Sequence, residues 1–263
     1  EQTGHAALTK VVEPGHVESP QPAGLQEARK PVPAGGVAIP SAVFASLAIE
    51  RMEAAPGALR EGLLYDLLGR IRHEDVRDRT IRAVSQRYHV DLEQALRVEL
   101  TARALLAQVA GPWSLEDPQA ARTLSWAARL HEVGLSISYA GHHKHGAYIA
   151  QYADMPGFSR RDQECLAALI MNHRRKPHLE AFEALSDAPA AEELKKLCAV
   201  LRLAVLLNRS RSPRSLPELR LAVKGNALTL HLPKKWIERH PLTRADLEAE
   251  AERLGELGLT FEL

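Results

Sequence analysis

The order of residues predicts a mainly α-helical protein closed at its C-terminal end by a small α+β unit. Three observations carry that expectation. From Asp91 to Ser210 apolar side chains recur every three to four positions, the period of a buried helix face. After Glu218 the period changes to two: Leu219, Leu221 and Val223, then Leu228, Leu230 and Leu232, flank Lys224-Gly225-Asn226-Ala227, a hairpin signal. Residues 69–87 (GRIRHEDVRDRTIRAVSQR) shift to arginines alternating with acids, which places a domain boundary near Gly69.

Composition bounds the rest. A chain of 263 residues holds more than one core. Hydrophobic residues at 45% and charged residues at 25% describe an ordinary soluble protein, and 5% aromatic content argues against a nucleic-acid platform. A formal charge of +1 means that affinity for a polyanion has to come from local clustering. Cys165 and Cys198 lie in apolar helical patterns as reduced thiols, which fits the cytoplasm. No run reaches the length of a membrane span. Beginning at Glu1 without a clear first strand, the chain reads as the C-terminal part of something longer.

Residues 1–30, rich in Pro, Gly, His and Gln, read as an arm or loop. Residues 31–48 read as a short extended piece, the pair Gly35-Gly36, and a helix through Ile39, Val43, Phe44 and Leu47. Residues 57–68 (GALREGLLYDLL) form a further helix with Leu59, Leu63, Leu64 and Leu67 inward. The arginines of residues 69–87 suit a solvated helix face laced with i,i+4 ion pairs. Asp91 caps a helix to Val109, which Gly111-Pro112 breaks, and Asp117-Pro118 opens the next with cap and N1 proline. Ser159 to His173 and Ala190 to Ser210 supply two more helices, and residues 257–263 a third strand.

The stretch that organises the chain is residues 119–145, QAARTLSWAARLHEVGLSISYAGHHKH. Leu124, Ala127, Ala128 and His131 share one stripe, so a buried face ends on a histidine. Gly134 suits a left-handed helix cap, after which His142, His143, Lys144 and His145 gather with no carboxylate close in sequence. A second basic cluster, His173-Arg174-Arg175-Lys176, ends the Ser159 helix, and from Lys195 to Pro217 there are six basic residues, Arg209 and Arg211 among them, and no acid.

Residues 130–176, LHEVGLSISYAGHHKHGAYIAQYADMPGFSRRDQECLAALIMNHRRK, resemble the helical domain of exopolyphosphatases and guanosine pentaphosphate phosphatases, which in turn resembles the His-Asp (HD) phosphohydrolase fold. The resemblance runs from about Gly35 to the C-terminus and is strongest at residues 57–65, 130–148 and 201–211. It implies three parts: residues 1–69, an arm and the end of the second actin-like (ASKHA) α/β domain; residues 70–216, an HD-like helical domain; and residues 217–263, a C-terminal α+β domain. It further implies that Gly35 and Gly36 form a phosphate or nucleotide turn, although from Gly-Gly alone a ligand-free turn is the commoner outcome. Catalysis and its Mg²⁺ would belong to an upstream cleft, with no catalytic residue in this chain, and the complete protein would be a homodimer.

An HD site would take its metal ligands from Gln94, His131, Glu132 and Val205, and two of those positions offer no metal-binding group, so His131-Glu132 reads as a degenerate structural pair and no metal is expected. The histidine would instead be locked by Glu132 or a backbone carbonyl. The basic turns at His142, His143, Lys144, His145, Arg174, Arg175 and Lys176, with Arg209 and Arg211, read as a surface for inorganic polyphosphate if they converge at one pole, their charge uncompensated by acids and their imidazoles gaining charge as pH drops from about 7.5 toward 6. The expected function is therefore the C-terminal portion of an exopolyphosphatase. Guanosine pentaphosphate (pppGpp) phosphatase, a non-catalytic helical interaction module and a metal-dependent HD nucleotidase are the alternatives.

Overall fold

The computed structural model describes residues 39, 42–48, 76–185 and 188–263. Gly35 and Gly36, the boundary near Gly69 and the helix expected over residues 57–68 lie outside the described residues. The chain divides into two compact units, Glu1–Tyr65 and Asp66–Leu263. Within the first, residues 42–47 are helical. The second unit carries the helical bundle and the sheet.

Its order is α1 (Val76–Arg87), α2 (Leu92–Trp113), α3 (Pro118–Leu130), a 3₁₀ turn (Val133–Ser136), α4 (His142–Tyr152), α5 (Arg160–Asn172), α6 (Glu180–Glu183), α7 (Ala188–Leu207), β1 (Arg220–Lys224), β2 (Ala227–His231), α8 (Lys234–Glu238), α9 (Pro241–Glu256) and β3 (Thr260–Glu262). Three of the helices, α2, α3 and α5, begin where the sequence supplies an acceptor for their orphan amides. Asp91 accepts from the Gln94 amide at 3.0 Å, Asp117 from Gln119 at 2.8 Å, and Ser159 and Asp162 form a reciprocal capping box. The helices are mainly held by their apolar stripes: Val98, Leu105 and Val109 of α2, Leu124 and Leu130 of α3, Leu166 and Ile170 of α5, and Leu197, Leu201 and Leu203 of α7 are almost wholly buried in one core.

Two expectations change in detail. Pro112 does not stop α2, which runs to Trp113 and ends at Ser114 in the left-handed region (φ 57°). Pro112 lies on an exposed side of the last turn, where a lost hydrogen bond and a crowded ring cost least. Gly134 is no left-handed cap either. It sits inside the 3₁₀ turn, and its missing side chain lets that turn press against α4: a Cβ there would lie 2.1 Å from the His142 carbonyl oxygen and 2.5 Å from the Gly146 nitrogen. Gly146 is the other half of the contact, its own Cβ position lying 2.9 Å from Ile170 Cγ2. Between α3 and α4 the left-handed region is taken instead by Gly141 (φ 70°), at the start of α4.

The sheet has the order β1-β2-β3. β1 and β2 form the expected hairpin, pairing Leu221 with Leu230 and Val223 with Leu228, and β3 joins β2 in parallel, pairing Leu228 with Phe261. These apolar pairs share one face and close against the bundle, while Gln108 of α2 bonds the backbone of Leu219 and Leu221 at 3.2 and 2.9 Å and Trp113 Nε1 donates to the Gly225 carbonyl at 3.3 Å. Core residues of the sheet and of α9 belong to the same apolar cluster as the bundle. No helix among the described residues is long and apolar enough to cross a membrane.

Gly134→Ala should therefore destabilise the protein by on the order of 3 kcal/mol, because both clashing atoms are backbone. Gly255→Ala, in α9 with open space around it, should be neutral or stabilising by about 0.5–1 kcal/mol. Urea midpoints of the two variants at unchanged m-value check the pair.

Candidate functional site

Where α3, the 3₁₀ turn and the start of α4 meet the ends of α5 and α7, the bundle opens into a cavity of about 450 Å³, closed on one side by α9. His131 ends α3. Its Nδ1 lies 2.7 Å from the Ala128 carbonyl oxygen, which can only accept, so Nδ1 carries the proton. Burial holds the imidazolium form down even with Glu132 nearby, leaving a neutral ring with its lone pair on Nε2. That nitrogen is buried with no hydrogen-bond partner among the described residues, 3.9 Å from Glu132 Oε1. Of the two locks expected for this histidine, the carbonyl is the one that forms.

His173, at the end of α5, repeats the arrangement, its Nδ1 2.7 Å from the Ile170 carbonyl and its pKa well below the ordinary value through burial and then the neighbouring His131. Along the cavity wall the His173 ring lies 5.5 Å from that of His131 and 5.6 Å from that of His142. Behind them His143 is held at about 4 by burial and then by the Arg174 charge. His142 is lowered by the same two causes. Packing against apolar surface and a guanidinium therefore opposes the charging that the sequence suggested for these rings, and His143, at about 4, gains no charge as pH drops from 7.5 to 6.

Of the basic groups singled out in the sequence, His142, Arg174, Arg175, Arg209 and Arg211 line this one cavity, together with His131 and Glu132. Lys144 is exposed and His145 half-buried on α4, and neither lines it; His143 is buried behind the wall, and Lys176 lies 3.6 Å from Glu256. Acids arrive from distant elements. Arg211 bonds Asp91 at 2.7 Å and both oxygens of Glu132 at 2.5 and 2.6 Å, and Arg209 bonds Asp246 at 2.7 Å. The charge is therefore partly compensated. Arg174 differs: among the described residues its side chain has no carboxylate within 4 Å, and its guanidinium lies against the His142 ring at 2.9 Å from Nδ1. Burial and the charge of Arg175 both act against its protonated form.

Arg202 is a wall residue that local sequence reasoning passed over. It is 1% exposed in its side chain, and its guanidinium donates to Glu250 of α9, to the Asn172 carbonyl and, at 2.8 Å, to the Arg175 carbonyl. Arg175 has φ 61°, and Asn172 closes the turn by accepting from the His178 amide at 2.6 Å. The signal was one charge alone in an apolar run, LCAVLRLAVLL, which marks a buried, satisfied arginine.

The positions of an HD metal site, Gln94, His131, Glu132 and Val205, all line the cavity, yet they do not fit a divalent ion. The Gln94 amide donates to the Asn208 carbonyl at 2.9 Å and accepts from Arg97 at 3.1 Å, Glu132 is engaged by Arg211, and valine has no donor atom. Among the described residues no His, Cys, Asp and Glu group is arranged to hold a metal.

Residues 76–251 match the family description "Ppx/GppA phosphatase, domain III", and residues 5–71 match "Ppx/GppA phosphatase family". The class is that of the phosphatases. The chain belongs to the Ppx/GppA phosphatase family. Among curated relatives it is 39% identical over 236 residues to a guanosine-5'-triphosphate,3'-diphosphate pyrophosphatase of Vibrio atlanticus (strain LGP32), 89% of this chain and 47% of that protein. Proteins of the same name from Vibrio cholerae serotype O1 (strain ATCC 39315 / El Tor Inaba N16961) and Pseudoalteromonas translucida (strain TAC 125) are 40% identical over 244 residues (92% of this chain, 48% of the relative) and 38% over 236 (89% and 47%). The chain thus spans about half the length of the relatives it matches.

A pH dependence of stability follows from the histidines. Their folded pKa values lie below the ordinary 6.5, so the unfolded chain takes up protons first as pH falls. Their contribution should be intact above about pH 6.5 and be lost as pH falls toward 4, the value His143 reaches. Melting temperatures across that range check this, and His143→Leu should flatten the slope.

Proposed function

We propose that the chain is the C-terminal portion of a phosphatase that removes the terminal 5'-phosphate of pppGpp, with the cavity gripping phosphates remote from the bond that breaks. In this reading the bundle is an HD-like domain stripped of its metal, residues 1–69 end an actin-like domain, and hydrolysis with Mg²⁺ is performed by segments upstream of this chain. The complete protein works as a homodimer in the cytoplasm.

The observation that carries the reading is Arg174, a half-buried guanidinium facing a neutral imidazole and another arginine, with burial opposing its charge. An anion is the ligand such a group accepts with gain, since charge-assisted hydrogen bonds to it relieve the cost of desolvation. Three features favour pppGpp over inorganic polyphosphate. Lys144, His145 and Lys176 do not line the cavity, Arg209 and Arg211 already have carboxylates, and relatives at 38–40% identity carry the pppGpp name. A cavity with a few free cations among paired ones suits a compact anion better than a long uniform chain.

In the complete protein Arg174→Ala should raise KM for pppGpp by about 10- to 100-fold with a smaller effect on kcat, the signature of binding common to ground and transition states. Hydrolysis of pppGpp should exceed that of long-chain polyphosphate in kcat/KM. A complete protein that prefers polyphosphate would restore the exopolyphosphatase reading, and an unchanged KM in the variant would leave the bundle a non-catalytic interaction module.

A further inference from the structure

Tyr139 lies between the 3₁₀ turn and α4, and the residue is 81% exposed although it lines the cavity. An aromatic ring standing in water at the rim of a cationic cavity is an uncovered apolar face beside a phosphate-type site. The other exposed tyrosines among the described residues, Tyr148 and Tyr152, have rings 4.8 Å apart and tilted by 45° along α4, and they line no part of the cavity. Tyr139 meets the wall at His142, the two rings lying 6.2 Å apart and tilted by 54°, with the Tyr139 carbonyl 3.3 Å from His142 Nδ1, the same nitrogen that the Arg174 guanidinium approaches at 2.9 Å. One ring therefore ties an exposed aromatic to the guanidinium that has no carboxylate among the described residues.

Resting on the reading of the cavity as a phosphate site, we propose that Tyr139 is a nucleobase-stacking residue and makes the site select a nucleotide over a base-free phosphate chain. Stacking uses the π-face that every base carries, whereas inorganic polyphosphate has no planar apolar surface to offer. A base laid on Tyr139 leaves its phosphates toward Arg174 and Arg175, which line the same cavity. A second observation points the same way: the unpartnered Nε2 of His131 in the cavity wall is a hydrogen-bond acceptor, which suits a ligand with N–H or O–H donors and not a fully ionised phosphate chain.

Calorimetric titration of this 263-residue chain with GTP and with inorganic tripolyphosphate, at equal low salt, tests the assignment. Tyr139→Ala should weaken GTP by about 5- to 100-fold and leave tripolyphosphate unchanged, while Tyr139→Phe and Tyr139→Trp keep GTP binding within about twofold. Arg174→Ala should weaken both ligands. An equal loss of both ligands in Tyr139→Ala, or no loss of GTP where Arg174→Ala weakens it, overturns the stacking role. If Arg174→Ala weakens neither, the phosphate-site reading has failed and the stacking proposal falls with it. Because Tyr139 contributes almost nothing to the core, the alanine variant should fold.

Discussion

The approach of the 133–136 turn to α4 is the constraint on which the cavity depends. Two glycines, Gly134 and Gly146, remove the side chains that would hold the segments apart, so backbone meets backbone. That contact sets where the chain leaves α3 and where it enters α4. It puts His131 on one side of the wall and His142 and His143 on the other, with the end of α5 closing the gap through His173 and Arg174. Imidazoles crowded this way exclude water from one another, and the neutral state of the wall is a consequence of packing and not of any individual residue.

Charge around the cavity is divided by the same geometry. Arg202, Arg209 and Arg211 are engaged by Glu250, Asp246 and the pair Asp91 and Glu132. A cation held by a carboxylate shapes a surface without attracting much to it. Arg174 and Arg175, on the turn after α5, have no such partner among the described residues, so the field at the mouth comes from a small part of the basic residues that sequence counts there. Glu132 belongs to this division, because Arg211 occupies both oxygens of the carboxylate that a metal cation would need.

Much of this was legible in the sequence where the determinants are local. The helices followed from apolar period and from the caps Asp91, Asp117 and Ser159, the hairpin from alternation around Gly225-Asn226, and a buried histidine at a helix end from the stripe that finishes on His131, though whether Glu132 or a carbonyl would hold it stayed open. What escaped was non-local. Asp91 reaches Arg211 across 120 positions, so acids were invisible beside a run that contains none. The parallel placement of β3 depends on how α9 returns the chain. Gly134 looked like a cap because glycine has two uses, and only the neighbour across the gap tells them apart. Tyr139 carried no periodic signal, since exposure in a loop is decided by what the rest of the fold fails to cover.

Arg202 has a consequence for how this part of the chain can vary. Its guanidinium spans three places that are far apart in sequence: the end of α5, the arginine turn and α9. Burying that cation is tolerable only while Glu250 is in place, and Glu250 belongs to the tail. The tail, residues 217–263, and the arginine turn are therefore structurally coupled. Exchanging residues 217–263 for an unrelated α+β module would leave a buried charge without its carboxylate inside the bundle, so the tail should tolerate change best on surfaces away from the inner face of α9.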